Sequence, residues 1–222
     1  MKIEAVVFDM DGLMFDTETR IVAGIKETLK EFGIDLPDFE KFGYVYLCGN
    51  RPDSKQENMM NILKVDLDWE AFWSKMLAYY QQDLETNGVA KKEGLIELLD
   101  YLKKEKIKTA IASSSPKLVD FVCGLAGVPL SYFDCFLGGD DVKHSKPHPE
   151  IYQVACKKLG VNPKNAIALE DSDLGIMSAS GAGMIPILIP DIKVNDPSVE
   201  KLAFKKLKSL REVIDVLKNW KE

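Results

Sequence analysis

The chain lacks most of the features that would place it outside the ordinary run of globular enzymes. Its four cysteines, Cys48, Cys123, Cys135 and Cys156, are scattered with no Cys-x-x-Cys pair. That argues against a thiolate metal knuckle and against a disulfide framework, and points to a reducing, cytoplasmic compartment. There is no block of Lys or Arg, and 29 basic against 35 acidic residues leave a formal charge of −6. Nucleic acid and anionic membrane surfaces are therefore poor partners. No apolar run is long enough to span a bilayer, since the longest late one, Ala182 to Ile189, is broken by Gly183 and Pro186. Asp9, Asp11 and Asp16 stand where a signal peptide needs its apolar stretch. The two histidines, His144 and His148, share one loop and have no evident partner, so they read as surface residues.

What is present is an apolar content of 46% in 222 residues, enough to bury one large core with a smaller insert. Short apolar runs alternate with helical patterns: Val6 to Phe8, Ile107 to Ala112, Cys135 to Leu137, Ala166 to Leu169 and Met184 to Ile189 read as strands. The helical periodicities between them include Leu95 to Leu102, Leu118 to Leu125 and Ile151 to Leu159, with a terminal helix around Leu210 to Leu217. Strands separated by helices predict a parallel sheet covered on both faces, a Rossmann-like α/β fold.

The interval after the first strand breaks this rhythm. Residues 17–88 carry thirteen acidic and eight basic residues, so nearly all the excess negative charge lies there. It has no strand pattern. Ile21, Val22, Ile25, Leu29 and Phe32 mark one helix, Ser54 to Leu63 allows another, and Trp69, Phe72, Trp73, Met76, Tyr80 and Leu84 mark a third. Its aromatic stripe is read as core packing. The expected organisation is an α/β core of residues 1–15 and 90–222, with a helical cap of residues 16–89 hung over the C-terminal ends of the strands, where it would exclude water.

Those strand ends carry the chemistry-bearing residues. Asp9 and Asp11 follow the first strand, and Gly12 allows a sharp turn. Taken alone, Asp11-Gly12 would be only an Asx-type turn. Ser113 and Ser114 end the second strand, where an N-cap role competes. Lys146 lies in a loop stiffened by Pro147 and Pro149, and Glu170-Asp171 end the fourth strand and also suit a helix N-terminus. Asp173 reads as first-turn charge. Two acidic clusters ask for a hard cation, most simply Mg²⁺. A hydroxyl and a lysine ask for an anion, and the two together suggest a phosphoryl group held beside Mg²⁺.

Asp9-Met10-Asp11-Gly12 with Asp16, Ile111-Ala112-Ser113-Ser114-Ser115, Ser145-Lys146-Pro147-His148-Pro149 and Leu169-Glu170-Asp171-Ser172 resemble, in order and spacing, the four motifs of haloacid dehalogenase-like hydrolases. The insert after the first motif is similar to the C1-type cap of the phosphatase and β-phosphoglucomutase branch. The resemblance implies that Asp9 is the nucleophile, forming an aspartyl-phosphate, and that Asp11 is general acid and then base. Ser113, Ser114 and Lys146 would hold phosphoryl oxygens. Asp9, the Asp11 backbone carbonyl and Asp171 would bind Mg²⁺, with Glu170 a ligand directly or through water. Asp11 itself speaks against dehalogenation, since that branch lacks a second aspartate in the first motif. Asp16 is expected to tie the cap hinge.

In the cap, Arg20, Asn50 and Arg51 are the candidate substrate contacts, with Lys55 also in reach. β-Phosphoglucomutase-like relatives carry a cap histidine where Ile21 stands, and their cap arginine falls a residue away from Arg51. These departures favour a phosphatase of a small phosphorylated metabolite, such as a sugar phosphate, over a phosphomutase. A non-catalytic phosphometabolite-binding module is the reading from another class, and the intact Asp9/Asp11 pair argues against it. The chain is expected to act as a monomer, because an α/β core of this size buries its own faces.

Overall fold

The structure is a computed structural model that describes residues 2–35, 67–113, 118–138, 141–192 and 195–220, and between 36 and 66 only 57, 59–61, 63 and 64. Six strands, β1 (Ala5–Phe8), β2 (Lys108–Ala112), β3 (Cys135–Leu137), β4 (Ala166–Glu170), β5 (Ile185–Leu188) and β6 (Lys205–Lys206), form one parallel sheet in the order β3-β2-β1-β4-β5-β6. The expected Rossmann-like α/β architecture is what the chain adopts. β1 lies between β2 and β4, with Val7 opposite both Ala110 and Ala168. The residues after β1, β2 and β4 therefore emerge side by side at one edge. β6 was not expected: a Lys-Lys pair, both exposed, carries no apolar signal.

The central strands β1 and β4 are buried on both faces, yet the residues of the sheet alternate in size. Val6, Phe8, Ile111, Ile167, Leu169 and Ile187 face one core with α3 (Leu95–Glu105), α4 (Val119–Leu125) and α8 (Arg211–Lys218). Ala5, Ala110, Ala112, Ala166 and Ala168 face a second core filled by α5 (Glu150–Leu159) and α6 (Asp173–Gly181). Alanine on that face lets α5 come close to the sheet, and this brings the fully buried Tyr152 within reach of the end of β4. A four-residue helix, α7 (Pro197–Glu200), follows the loop after β5.

Between β1 and α3 the described chain is helical. α1 (Glu18–Glu31) buries Ile21, Val22, Ile25 and Leu29, and α2 (Trp69–Asn87) buries Phe72, Tyr80 and Leu84. The two pack on one another, with the ring centroid of Phe32, at the end of α1, 5.8 Å from that of Phe72 of α2, which also meets Trp69 and Trp73 of its own helix edge-on at 5.6 and 5.2 Å. Half of the expected helix over Ser54 to Leu63 falls outside the described residues; the described ones, 57, 59–61 and 63, are helical. The chain enters and leaves this helical stretch by two adjacent segments: Asp16 N–H donates to Ala90 O at 3.0 Å, and Lys92 N–H donates to Met14 O at 2.9 Å. No helix among the described residues is long and apolar enough to cross a membrane.

Candidate active site

The first side chains of the site are set by the turn after β1. Asp9 N–H donates to Leu169 O, which ties the end of β1 to β4. The chain then curls so that Gly12 N–H reaches Phe15 O at 3.0 Å, while Met10, Leu13, Met14 and Phe15 fill the core beneath. Gly12 has a φ of +84°, and a Cβ there would stand 2.5 Å from Asp171 Oδ2. The position is closed to any side chain for both reasons. Asp11 Oδ1 accepts from Thr17 Oγ1 at 2.7 Å, so its carboxylate is directed toward the start of the helical stretch.

Lys146 arrives from the loop before α5 and joins the strand ends. Its Nζ is 2.5 Å from Asp9 Oδ1, 2.6 Å from Glu170 Oε1 and 3.0 Å from Ala112 O, and it lies 5.1 Å over the Tyr152 ring. Burial works against its charge, but Asp9 and Glu170 outweigh that and hold its pKa well above the ordinary lysine value. Ser113 follows Ala112, fully buried, with its N–H donated to Leu137 O. Ser114, Asn50 and Arg51 lie outside the described residues.

Glu170 receives three hydrogen bonds. Oε1 receives Lys146 and, at 2.5 Å, the Tyr152 hydroxyl; Oε2 receives Ser172 Oγ at 3.1 Å. Ser172 also caps α6 by accepting from Gly175 N–H. A Cβ on Gly175 would overlap the Glu170 carboxylate outright, so the bare first turn of α6 is what admits it. Burial and the charge of Glu170 push the Tyr152 pKa well up, which keeps its proton available for donation.

Asp171 is the opposite case. It is 9% exposed, and no described N–H or O–H donates to its carboxylate. Burial, then the charges of Asp9, Glu170, Glu18 and Asp191, raises its pKa well above the carboxylate range. The Asp9 pKa is also raised by burial, with Lys146 opposing. One oxygen each from Asp9, Glu170 and Asp171 fall within 4.8 Å of one another. A buried carboxylate with like charges around it and no donor is the chemistry of a hard-cation ligand, so these residues fit Mg²⁺. The Asp11 carboxylate is not part of this group.

Arg20 Nη1 is engaged with Asp83 Oδ2 at 2.7 Å, joining α1 to α2. Asp16 Oδ1 accepts from Thr19 Oγ1, and its backbone is the partner of Ala90 noted above. His144 and His148 stack with ring centroids 4.6 Å apart on the loop around Lys146. Asp173 does more than charge a helix end, since it accepts from Asn195 Nδ2 and from Asp196 N–H. Tyr152, Thr17, Gly175, Lys92, Asp191 and Asn195 belong to the site or its support and were not singled out in the sequence. Only Tyr152, one turn into the helix after the Lys146 loop, had a signal: a large polar aromatic on a buried stripe, whose hydroxyl needs a partner. The groove between β6 and α8, lined by Phe204, Lys206 and Trp220, lies at the far edge of the sheet and holds none of these groups.

A family model described as "Haloacid dehalogenase-like hydrolase" matches residues 6–189. The "Phosphorylated carbohydrates phosphatase" of Thermotoga maritima is 30% identical over 182 residues, covering 82% of this chain and 82% of that protein. Among solved structures, CbbY from Rhodobacter sphaeroides in complex with xylulose-(1,5)-bisphosphate is 26% identical with a TM-score of 0.82, covering 95% of this chain and 96% of that one. β-Phosphoglucomutase from Clostridium difficile is 25% identical with a TM-score of 0.80, covering 95% and 93%.

Proposed function

The chain belongs to the haloacid dehalogenase-like hydrolases, and we propose that within them it is a Mg²⁺-dependent phosphatase of a small phosphorylated metabolite of the sugar-phosphate type. One observation carries this reading: a single buried lysine bridges Asp9, Glu170 and the carbonyl before Ser113, while Asp171 beside them has no donor among the described residues. An anion pole and a cation pole share one edge of the sheet.

In this reading the Asp9 carboxylate attacks phosphorus in line, forming the Asp9 O–P bond as the bond to the leaving oxygen breaks. Asp11 gives its proton to that oxygen, then takes one from the water that hydrolyses the aspartyl-phosphate. Lys146 with Ser113 and Ser114 balances the phosphoryl oxygens. Asp9 and Asp171, with the Asp11 backbone carbonyl, hold Mg²⁺; Glu170, already bonded, contributes through its hold on Lys146 and at most one further lone pair or a water. Bound there, Mg²⁺ supplies charge neutralisation and a template for the phosphoryl group.

The segment 16–89 acts as the cap, supported by the paired crossing at Asp16–Ala90 and Met14–Lys92. Ile21, buried on α1, offers no proton-transfer group, which favours hydrolysis over phosphoryl return to a bound sugar. Arg20 meets substrate in this reading only by leaving Asp83. The buried free thiols of Cys123 and Cys156 suit a reducing, cytoplasmic compartment, and a core of this size, which buries its own faces, suits a monomer.

The test is phosphate release from sugar and nucleotide monophosphates and an aryl phosphate, with Mg²⁺ and with chelator, for the wild type and Asp9→Asn. Chelator-sensitive release that Asp9→Asn lowers by roughly 10⁴-fold or more is the expected result. Release that survives Asp9→Asn overturns the nucleophile assignment. Interconversion of hexose phosphates with a bisphosphate primer, without net release, would replace the phosphatase by the mutase.

A further inference from the structure

The loop after β5 is strapped across the end of β4. Ile189 N–H donates to Glu170 O at 2.7 Å, and Asn195, 4% exposed, donates from Nδ2 to Asp171 O at 3.1 Å and to Asp173 Oδ1 at 3.0 Å. Between these anchors Asp191 turns inward, its side chain only 10% exposed. Its Oδ1 pairs with Lys92 Nζ at 2.5 Å. Its Oδ2 is buried with no hydrogen-bond partner among the described residues and lies 3.2 Å from where a Gly12 Cβ would stand, the same space that Asp171 Oδ2 approaches at 2.5 Å. Asp191 and Asp171 thus confront one another across Gly12. Burial raises the Asp191 pKa even with Lys92 in contact.

Two lysines therefore divide the acidic cluster. Lys146 serves Asp9 and Glu170, and Lys92 reaches the cluster from the other side, through Asp191. Lys92 does not belong to the core motifs. It sits on the outgoing segment of the helical stretch, its backbone paired with Met14.

We propose that the Lys92–Asp191 pair sets the cation affinity of the Asp9/Asp171 site from the hinge, with Asp191 adding attraction and Lys92 subtracting it. The inference rests on the reading of Asp9 and Asp171 as Mg²⁺ ligands. Its signature is a sign. Removing the lysine charge leaves Asp191 unpaired beside Asp171 and tightens Mg²⁺ binding. Removing the Asp191 charge leaves an unneutralised ammonium and loosens it. With an effective dielectric near 20 and a lysine side chain 27% exposed, each change amounts to roughly tenfold in Kd. A purely structural role would weaken binding in both variants.

Calorimetric titration of the substrate-free protein with Mg²⁺ reads this directly, on the wild type, Lys92→Met, Asp191→Asn and the double variant. Lys92→Gln stands in should Lys92→Met fail to fold, and Lys92→Arg keeps the charge. The expected result is tighter for Lys92→Met, looser for Asp191→Asn, and within about threefold of wild type for both the double variant and Lys92→Arg. Weaker binding in both single variants, or no shift beyond about threefold in either, overturns the inference. Absence of Mg²⁺ binding in the wild type removes the cation reading and this inference with it. Opposed shifts in a protein that releases no phosphate would leave the inference standing and remove only the phosphatase reading.

Discussion

Glu170 and Asp171 are neighbours in sequence, share one buried strand end and carry the same charge, yet they are built on opposite terms. Glu170 is wholly buried and receives an ammonium, a phenol and a serine hydroxyl. Asp171 receives nothing from the described residues and faces four other carboxylates. A buried charge persists only if it is compensated. Glu170 is compensated by the protein itself and so acts as part of the scaffold that holds Lys146. Asp171 has no such compensation among the described residues, and under the proposed function a bound cation supplies it.

Three substitutions test the contrast. The largest effect is expected from Lys146→Met, which strips the compensated half of its cation and strands Asp9 and Glu170 together. Unfolding in urea is expected to show a loss of about 3–5 kcal/mol, with phosphate release abolished. A stability close to wild type would mean that Glu170 does not depend on the lysine. Asp171→Asn acts on the other half with the opposite sign. It relieves repulsion, so the metal-free protein is expected to gain about 1 kcal/mol, while the rise in Tm on adding Mg²⁺ disappears. Retention of that rise would assign the cation to other ligands. The smallest effect is expected from Tyr152→Phe, which removes one of two donors to Oε1. A loss of about 1–2 kcal/mol in unfolding free energy, with Mg²⁺ affinity unchanged, would place Tyr152 wholly on the scaffold side.

The sheet and the motif residues were legible because their signals are local. An apolar run that stops on a carboxylate needs only the next few residues to be recognised, and Asp9, Lys146, Glu170 and Asp171 converge as those run ends predict. The division of labour between Glu170 and Asp171 was not legible. It depends on Tyr152, delivered by an alanine-lined sheet face, and on Gly175, whose missing side chain admits the Glu170 carboxylate. Nor was the strap: nothing local in the sequence announces that Asp191 meets Lys92 beside Gly12, or that Asn195 reaches Asp171 O. Strand β6 was missed for a related reason, since Lys205 and Lys206 pair through backbone alone. In the helical stretch the packing helices α1 and α2 were visible from their stripes, whereas the ion pair of Arg20 with Asp83 spans 63 positions and no periodicity announces it.

The crossing at Met14–Asp16 and Ala90–Lys92 has a consequence for how such a chain can change over time. The chain leaves the core and returns to it at neighbouring points fastened by backbone bonds, which are indifferent to the side chains between them. From the standpoint of the sheet, some seventy residues amount to a long loop whose closure is already secured at its base. Whatever stands between those two points can be lengthened, recombined or exchanged for an unrelated fold while β1, β2 and β4 keep their register. Under the proposed function, in which this stretch is the cap, selection for a new substrate can work on one contiguous stretch of the gene, leaving the phosphoryl chemistry untouched.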